Sequence, residues 1–424
     1  MKVYYAAFLA APLCVVAAQA QPGAPVSGEA VLTLEEALAR AEALSPLADA
    51  ARAEVEAAEI ASEVAALRPN PSLSIEAENA LGTGPYRGFD ESETAIALTL
   101  PLELGGKRGA RMAGAAAEMR RAKVDRAIAR ADLRLAISLA YAGAIAAERR
   151  AAIAEDQLAI TAENLRIARD RVMVGANSPI DEQRAALEQQ RARGEAAIAR
   201  RNVQAARTAL AQYIGDVAGQ PLDWRWFDRA LQGGIGPALP PDIDAGATLA
   251  LAAAATDRDL AEAGVRLAQS QRIPDLTLSA GRRRMQATGD QAMIFGLSVP
   301  LPLFNGGRTA VSEARARRNR AEALYRAARL EAEQALAAAM ADRDRAAAAL
   351  EAATPALAAA QEAARIARIG YAEGKFDQMV LLDAERSLLQ TRADAVGAAL
   401  DFHTAAARLV RLATRLPGAG DKMP

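Results

Sequence analysis

Cysteine, histidine and aromatic residues are scarce in this sequence. The 424 residues include one cysteine, one histidine and 4% aromatic residues. Cys14 lies in an apolar run near the N-terminus, so His403 is the only cysteine or histidine elsewhere in the chain. A thiolate or histidine-cluster metal site therefore cannot form within one subunit. We expect no metal site and no cofactor.

Catalysis would also depend on His403, because a Ser-His-Asp triad needs an imidazole. His403 falls in a seven-residue column with Leu382, Leu389, Val396 and Val410. This spacing favours a histidine in a seam between helices over a catalytic one. We therefore expect that the protein is not an enzyme and has no catalytic residue.

A surplus of basic residues is absent as well. The chain has 51 Lys and Arg against 52 Asp and Glu, with a formal net charge of -1. Proteins that bind nucleic acids neutralise phosphates with excess Lys and Arg. The sequence thus predicts no nucleic-acid partner.

The N-terminus has the pattern of an export signal. Lys2 precedes the apolar run 6–17, which ends in the small-residue pattern Ala18-Gln19-Ala20. This pattern predicts a signal peptide over residues 1–20, cleaved before Gln21. A membrane-anchoring helix, the alternative, needs about 20 apolar residues. Leu13 stands where lipid attachment to Cys14 would need a small residue, so we expect no lipidated cysteine.

An internal repeat organises the rest of the chain. PSLSIEA at 71–77 aligns with PDLTLSA at 274–280, and LTLPLELGGK at 98–107 aligns with VPLPLFNGGR at 299–308. A third pair follows in the same order, GANSPIDEQ from Gly175 and GKFDQMVLL from Gly374. Three matched blocks in one order predict a duplicated unit. The predicted divisions are a first repeat over 21–220, an inter-repeat linker over 221–245 and a second repeat over 246–424.

Each repeat contains two segments of strict apolar alternation, which predict four strands, about 71–80, 93–103, 275–284 and 292–303. Segments of about 9 to 11 residues suit tilted strands that cross a bilayer with lipid on one side and water on the other. If the strands are considered alone, a small soluble hairpin is the alternative interpretation. The residues predicted to face lipid are Leu73, Ile75, Ile96, Leu98, Leu276, Leu278, Phe295 and Leu297.

The remaining sequence is predicted to be helical. An opening helix starts at Thr33, whose capping box includes Glu36, and is interrupted at Ser45-Pro46. Coiled-coil-like helices follow over about 111–174 and 311–373, each with a returning helix after a turn near Gly175 or Gly374. A helix of roughly 60 residues is about 90 Å long, more than a globular core requires. Its apolar columns lie on two faces, which predicts a neighbour on each side. Pro355 is expected to kink or divide the second long helix.

In this order of elements the sequence resembles the TolC-type outer-membrane efflux channels. The resemblance rests on Ser45-Pro46, the strand that begins at Pro71, LPLELGGKR at 100–108, the turns, and RIPDLTLSAG at 272–281. It covers nearly all of the mature chain. The LELGGKR version of the strand exit resembles the heavy-metal branch, the CzcC-like proteins.

The resemblance implies a mainly α protein with membrane β structure: a duplicated unit of long α-hairpins plus four β-strands per protomer. Four strands cannot close a barrel, and open edges in hydrocarbon leave backbone groups unsatisfied. A dimer would give 8 strands and a trimer 12. Eight strands leave an interior filled by side chains, and family members are trimers. We therefore expect a homotrimer whose 12-stranded β-barrel joins a periplasmic α-helical barrel.

The resemblance also assigns roles to the helical tips. The resemblance implies that Gly175 and Gly374 form turns at the helical tips, which in the family face the adaptor and the inner-membrane pump. The closed tip is tied by an aspartate after the first turn and a tyrosine before the second, which match Asp181 and Tyr371. Hydrogen bonding between these two side chains is therefore expected to hold the tip closed. The alternative is that the two glycines only permit the backbone turns and have no part in contact with the adaptor.

Two further family positions differ in this chain. Phe376 replaces the gate arginine, with Lys375 adjacent. Of the two aspartates that ring the pore in the family, Asp383 matches and Val380 replaces the other. Three copies of Asp383 would form a negative constriction. The alternative is a solvated surface carboxylate near a helix start.

The predicted function is that of a passive exit duct in the outer membrane of a Gram-negative bacterium, embedded in outer-membrane lipid. It would receive cargo from an inner-membrane pump and a periplasmic adaptor, and heavy-metal cations are the expected cargo. Export of organic compounds or drugs, or type I protein secretion, is the alternative within the channel class. A periplasmic coiled-coil adaptor or scaffold is the alternative of another class, but it does not explain the four strands.

Overall fold

The computed structural model describes residues 31–216, 219–232 and 244–416, which form eight helices and one four-stranded sheet. The predicted signal peptide lies outside the described residues. The strands are β1 Ser72–Glu78, β2 Glu93–Leu102, β3 Leu276–Met285 and β4 Gln291–Ser298. The helices are α1 Leu34–Leu44, α2 Pro46–Ala65, α3 Lys107–Met173, α4 Pro179–Ile214, α5 Trp224–Leu231, α6 Leu249–Ser270, α7 Arg308–Ala372 and α8 Gln378–Ala413.

The opening helix begins and breaks where the sequence predicts. The Thr33 hydroxyl accepts a hydrogen bond from the Glu36 amide at 3.2 Å and caps α1. Ser45 is both the end of α1 and the cap of α2, and Pro46 takes the first helical position, where a missing amide proton costs nothing. In the second repeat α6 is unbroken over 22 residues.

Two long hairpins, α3 with α4 and α7 with α8, account for most of the chain. At 67 residues α3 is about 100 Å long. It packs against α4 and also against α8, as two apolar faces require. No helix in the described part of the chain is both long and apolar enough to span a membrane.

Pro355 does not divide the second long helix. α7 runs without interruption from Arg308 to Ala372 with Pro355 inside it. A proline removes one backbone hydrogen bond. The packing of α7 along α8 and α6 over many turns outweighs that loss, so the helix continues.

The main apolar core lies at the middle of α3, where the segment after α4 packs against the long helices. Part of the predicted linker is ordered here: Leu222 bridges to Leu32, and α5 packs on α8 and α7. Phe227 of α5 is fully buried in this core together with Tyr141 and Ile145 of α3. The segment 221–232 is thus a structural element and not a simple connection.

His403 lies in this core, as the seven-residue column predicts. It is 5% exposed and stacks on Trp226 at a ring distance of 4.1 Å. Its Nε2 lies 3.2 Å from the Phe227 carbonyl oxygen. Burial lowers the pKa of His403, which keeps the ring neutral within a helix seam.

Candidate channel surfaces

The sheet places the eight residues that were predicted to face lipid on one of its faces. It has the order β1-β2-β3-β4 and is antiparallel throughout. Leu98 lies opposite Leu73 on one side and Ala280 on the other, and Ala280 lies opposite Phe295. Directly opposed residues share a face, and side chains along a strand alternate between faces. The eight residues predicted to face lipid therefore lie on the same face: Leu73, Ile75, Ile96, Leu98, Leu276, Leu278, Phe295 and Leu297.

The opposite face of the sheet is polar or has small side chains. It carries Ser74, Glu76, Thr99, Ser279 and Arg283, which lie at alternate positions to the apolar set. A close approach of strands explains Gly281, where an added Cβ would lie 2.4 Å from the Ile96 carbonyl oxygen. One apolar and one polar face are the requirement for a wall between lipid and water.

The strand exit LELGGKR forms a junction between the sheet and the helices. Gly105 has a φ of +71° and Gly106 one of +74°, so the chain turns sharply from β2 into α3. A Cβ on Gly105 would lie 2.7 Å from the Ser270 carbonyl oxygen and 2.8 Å from the Ile273 Cβ. Only glycine fits where this turn meets the end of α6.

Charged side chains of the same motif bind the neighbouring strand and helix. The Lys107 ammonium contacts the Asp275 carboxylate at 2.7 Å, and the same oxygen accepts from the Leu104 amide at 3.1 Å. Arg111 pairs with Glu103 and donates to the Leu67 carbonyl oxygen at 3.1 Å. These bonds join the exit of β2 to the entry of β3 and to the end of α2.

The pKa values of the two junction carboxylates follow from these bonds. The hydrogen bond from Arg111 lowers the pKa of Glu103. Burial acts to raise the pKa of Asp275, but the hydrogen bonds from Lys107 and the Leu104 amide outweigh it and the pKa is lowered. Both groups are therefore charged at neutral pH.

At the other end of the molecule, both long hairpins turn through the same backbone motif. Gly175 and Gly374 have φ values of +72° and +75°. The Gly175 amide donates to the Val172 carbonyl oxygen and the Gly374 amide to that of Tyr371, each at 3.1 Å. A left-handed glycine that closes a helix in this way is a common C-terminal cap. The two glycines therefore occupy the turns predicted for them.

Tyr371 is buried just before the second turn. Its side chain packs with Ala367 and Leu381, and 2% of the residue is exposed. The Arg171 guanidinium lies 4.3 Å from the ring centroid and also donates to the Tyr371 carbonyl oxygen. Burial raises the pKa of the phenol; the charge of Arg171 opposes this shift and that of Asp181 adds to it. Tyr371 thus links α7 to α3.

Asp181 and Tyr371 lie near each other, but the expected hydrogen bond between them is not formed in the protomer. The Asp181 carboxylate accepts from the Asn177 amide at 3.1 Å, within its own turn. Tyr371 Oη has no hydrogen-bond partner among the residues that the structure describes. Asn177 occupies one oxygen of the Asp181 carboxylate, and Arg171 and Leu381 contact the tyrosine ring in a position from which Oη does not reach the carboxylate.

The hairpins are instead joined by Gln378, the first residue of α8. Its amide nitrogen donates to the backbone oxygen of Asp181 at 3.1 Å. The two turns enclose a groove of about 820 Å³, which is lined by Arg171, Asp181, Tyr371 and Gln378 among others. The structure thus brings both halves of the predicted tip together through bonds other than the expected one.

Lys375 and Phe376 have different surroundings in the second turn. Lys375 pairs with Glu373 of the same turn at 2.6 Å, and its side chain is 71% exposed. The Phe376 ring lies over Gly370, where an added Cβ would be 2.2 Å from ring atom Cδ2. Lys375 therefore makes no link between the hairpins, and Phe376 packs where the family has an arginine.

Asp383 lies on the exposed side of α8, near its start. Val380, three residues earlier, is 45% exposed. Residues three apart lie on one helix face. The two positions that match the pore aspartates therefore share a surface.

Comparison with known proteins supports the expected family. The outer membrane efflux protein family matches residues 34–216 and 247–415. The chain is 30% identical over 396 residues to the cobalt-zinc-cadmium resistance protein CzcC of Cupriavidus metallidurans, with 93% of each chain covered. The chain belongs to the outer membrane efflux protein family.

Further relatives and solved structures agree in sequence or fold. The nickel-cobalt-cadmium resistance protein NccC of Alcaligenes xylosoxydans xylosoxydans is 29% identical over 264 residues, 60% of this chain and 57% of that protein. Crystal structures of CusC superpose with a TM-score of 0.74, 17% identity and coverage of 90% and 91%. The outer membrane protein VceC of Vibrio cholerae gives 0.73, 21% identity and coverage of 91% and 97%. These structures show the same fold.

As a member of the outer membrane efflux family, the protein is a non-enzymatic channel in the outer membrane with its helical part in the periplasm. Family membership implies a trimer that works with an adaptor and an inner-membrane pump. The fold agrees with this assembly, because β1 and β4 are open edges of the protomer sheet. Four strands from each of three protomers give the 12-stranded barrel.

An ion pair near the tip, between a buried carboxylate and a partly exposed arginine, was not predicted from the sequence. Glu385 of α8 is 2% exposed and accepts from Arg368 of α7 through both oxygens, at 2.5 and 3.0 Å. The hydrogen bond that Arg368 donates to Glu385 raises the pKa of Arg368. Glu385 lies four residues after Leu381 and three before Leu388, both buried. A carboxylate at such a seam position was the signal that could have revealed the pair.

A second buried carboxylate, Glu148 of α3, fastens the mid-length core. It accepts from the Trp224 indole at 2.6 Å and from Arg207 at 2.7 Å. Its partners lie 59 and 76 residues away in the chain. Sequence spacing gave no sign of this contact, because only the return of the chain past Pro221 brings Trp224 to α3.

Proposed function

We propose that this channel is the exit duct for heavy-metal cations in a tripartite efflux system. The support is the similarity to CzcC, a protein named for cobalt, zinc and cadmium resistance, which extends over 93% of both chains. NccC, named for nickel, cobalt and cadmium resistance, adds to it. The duct itself is passive, and the pump and adaptor select the cargo.

Gene deletion tests the cargo. The deletion strain is expected to lose tolerance to zinc, cobalt and cadmium while its tolerance to a panel of organic antibiotics is unchanged. Wild-type protein expressed from a plasmid should restore metal tolerance, at a level verified in the outer-membrane fraction. Sensitivity to antibiotics alone would replace metal export by export of organic compounds, and a secretion defect alone would favour type I protein secretion.

The eight apolar residues of one sheet face are proposed to contact outer-membrane lipid. All eight lie on one face of the sheet, and five of them are more than half exposed: Leu73, Ile75, Leu98, Phe295 and Leu297. An apolar surface of this kind is stable only when it is covered. Lipid is the cover that an outer-membrane barrel provides.

The helical tip is proposed to act as the gate, with Gly175 and Gly374 at the surface that meets the adaptor. Two polar links join the hairpins at the turns, the contact of Arg171 with Tyr371 and the bond from Gln378 to Asp181. Further along the hairpins, Arg386 of α8 pairs with Glu188 of α4. Separation of the hairpins at the turns would break the first two links, which are therefore proposed to hold the closed state.

Loss of either link is expected to open the tip. Arg171→Ala removes a charged donor and the ring contact, a constraint of about 1.5 to 3 kcal/mol per protomer, and Gln378→Ala removes about 0.5 to 1.5 kcal/mol. Both variants should raise the single-channel conductance in planar bilayers.

Two matched variants control for effects of the tip as a whole. Lys375→Ala removes a charge from the turn without breaking a link between the hairpins, and Tyr371→Phe keeps the ring under Arg171. Both should conduct like the wild type. Equal conductance of Arg171→Ala, Gln378→Ala and the wild type, at normal trimer levels, would refute the proposed gate.

Asp383 is proposed to form a ring of three carboxylates in the pore. Asp383→Asn is expected to lower the preference for cations, because it removes three negative charges from the trimer without altering a contact between hairpins. The reversal potential in a KCl gradient measures the preference. The difference in reversal potential between Asp383→Asn and the wild type should shrink at 1 M salt, where the Debye length is about 3 Å. An unchanged reversal potential at low salt would place Asp383 on a surface outside the pore.

A further inference from the structure

Three consecutive arginines, Arg282, Arg283 and Arg284, lie in the last part of β3. The register places Arg282 between Ile96 and Met293, in a row of the apolar face. Arg284 is two residues further along the same face, whereas Arg283 lies on the polar face. Two guanidinium groups thus project from this face, Arg282 between apolar neighbours and Arg284 between Thr94 and Gln291 at the end of the apolar surface.

The charges on the two faces are balanced differently. Arg283 contacts the carboxylates of Glu93 at 2.8 Å and Glu78 at 3.5 Å. Arg282 and Arg284 are exposed, and neither has a carboxylate partner within the described ranges. The one polar contact of Arg282 is the Gln291 side-chain oxygen at 3.3 Å. In the described part of the chain, the charges of these two exposed arginines are thus not neutralised by an ion pair.

These arginines lie at the end of the sheet remote from the helices. β3 begins at Leu276, soon after α6, and reaches its turn beyond Met285. At about 3.3 Å per residue, Arg282 and Arg284 are about 20 and 26 Å along the strand from Leu276. For a strand tilted by about 40°, these distances correspond to heights of about 15 and 20 Å, in the outer half of an apolar band about 25 Å tall. Because long arginine side chains extend their guanidinium groups toward the interface, both groups approach the outer headgroup level when the helices are in the periplasm.

We propose that Arg282 and Arg284 bind the phosphate groups of phosphorylated lipids in the outer leaflet. This inference rests on the proposed lipid-facing orientation of the sheet. Guanidinium groups match phosphate oxygens with two parallel hydrogen bonds. Their spacing on alternate residues of one strand gives a pair of donors per protomer and three pairs around the trimer. The site fastens the barrel to the outer leaflet at a fixed depth.

Binding of a phosphorylated glycolipid to the delipidated trimer tests the site. The variants are the double substitution Arg282→Gln with Arg284→Gln and, as a matched control on the opposite face, Arg283→Gln. Bis-phosphorylated lipid A and its dephosphorylated form are titrated in detergent, and native mass spectrometry counts the lipids bound per trimer. The wild type and Arg283→Gln should retain phosphorylated lipid. The double variant should bind it about ten-fold more weakly or worse, the change that corresponds to about 1.4 kcal/mol.

Two outcomes would overturn the proposal. One is equal affinity of the double variant and the wild type for the phosphorylated lipid. The other is equal binding of the phosphorylated and dephosphorylated lipids, which would assign binding to the acyl chains alone. Inorganic phosphate serves as a competitor: displacement of the lipid at low millimolar phosphate would show a site for the free anion instead of for a lipid. Conductance in planar bilayers tests the channel separately, and the double variant should conduct like the wild type.

Discussion

Arginine in place of Leu98 is expected to destabilise the membrane-inserted barrel by about 2 to 4 kcal/mol per protomer, if this position lies near mid-membrane. Leu98 lies within β2, is 53% exposed and is flanked on its face by Leu73 and Ala280. A guanidinium there would have to leave water for hydrocarbon without a partner. Urea unfolding of the trimer in lipid vesicles measures the effect.

Ser74→Arg is the matched control for this change. Ser74 lies opposite Ala97 on the polar face, so an arginine there would project toward the water-filled side. Its expected effect is within about 0.5 kcal/mol, as for surface substitutions in general. If Ser74→Arg destabilised the trimer strongly and Leu98→Arg did not, the two faces would have been assigned to the wrong sides.

Gly105→Ala is expected to destabilise the protein by about 2 to 5 kcal/mol. A left-handed backbone costs a non-glycine residue about 1 to 2 kcal/mol. Overpacking adds about 1 to 3 kcal/mol, because the new Cβ would meet the Ser270 carbonyl oxygen at 2.7 Å and Ile273 Cβ at 2.8 Å. Both are part of the α6 to β3 connection and cannot swing aside as a long side chain would. The same urea titration, together with the yield of trimer in the membrane, measures the loss.

Gly106→Ala separates the two causes. Gly106 has almost the same φ, +74°, but no atom within 4 Å of its added Cβ. Only the backbone term applies, so a loss of about 1 to 2 kcal/mol is expected. Equal losses for the two variants would mean that the close approach at Gly105 does not contribute to the stability of the junction.

The elements of the fold were predictable because their signals are local. Alternation over seven to ten residues defined the strands, and the Thr33 cap and Ser45-Pro46 defined the ends of the opening helices. The turns at Gly175 and Gly374 follow from the need for a residue with positive φ. Pro355 was the exception, since packing along the whole of α7 outweighed a local helix-breaking signal.

The hydrogen bonds at the helical tip could not be predicted from local sequence patterns. The family resemblance implies that Asp181 and Tyr371 lie close together, and the structure places them so. Which hydrogen bonds form depends on competitors four residues away or on another helix: Asn177 takes the Asp181 carboxylate, and Arg171 takes the tyrosine ring. Such competition is decided by distances of an ångström or two between side chains, which no spacing rule contains.

By itself the sequence determined the duplicated plan, the four alternating strands, the long hairpins with their glycine turns, and the absence of a soft-metal ligand set. These features depend on neighbours in the chain, and so a period or a backbone angle is enough to reveal them. The tertiary structure alone decided that Glu385 and Glu148 are buried with arginines, that Gly105 must be glycine because of Ser270, and that Arg282 and Arg284 share a face with Leu98. These facts join residues from different helices or strands, and their energies exist only once packing has brought the partners within contact distance.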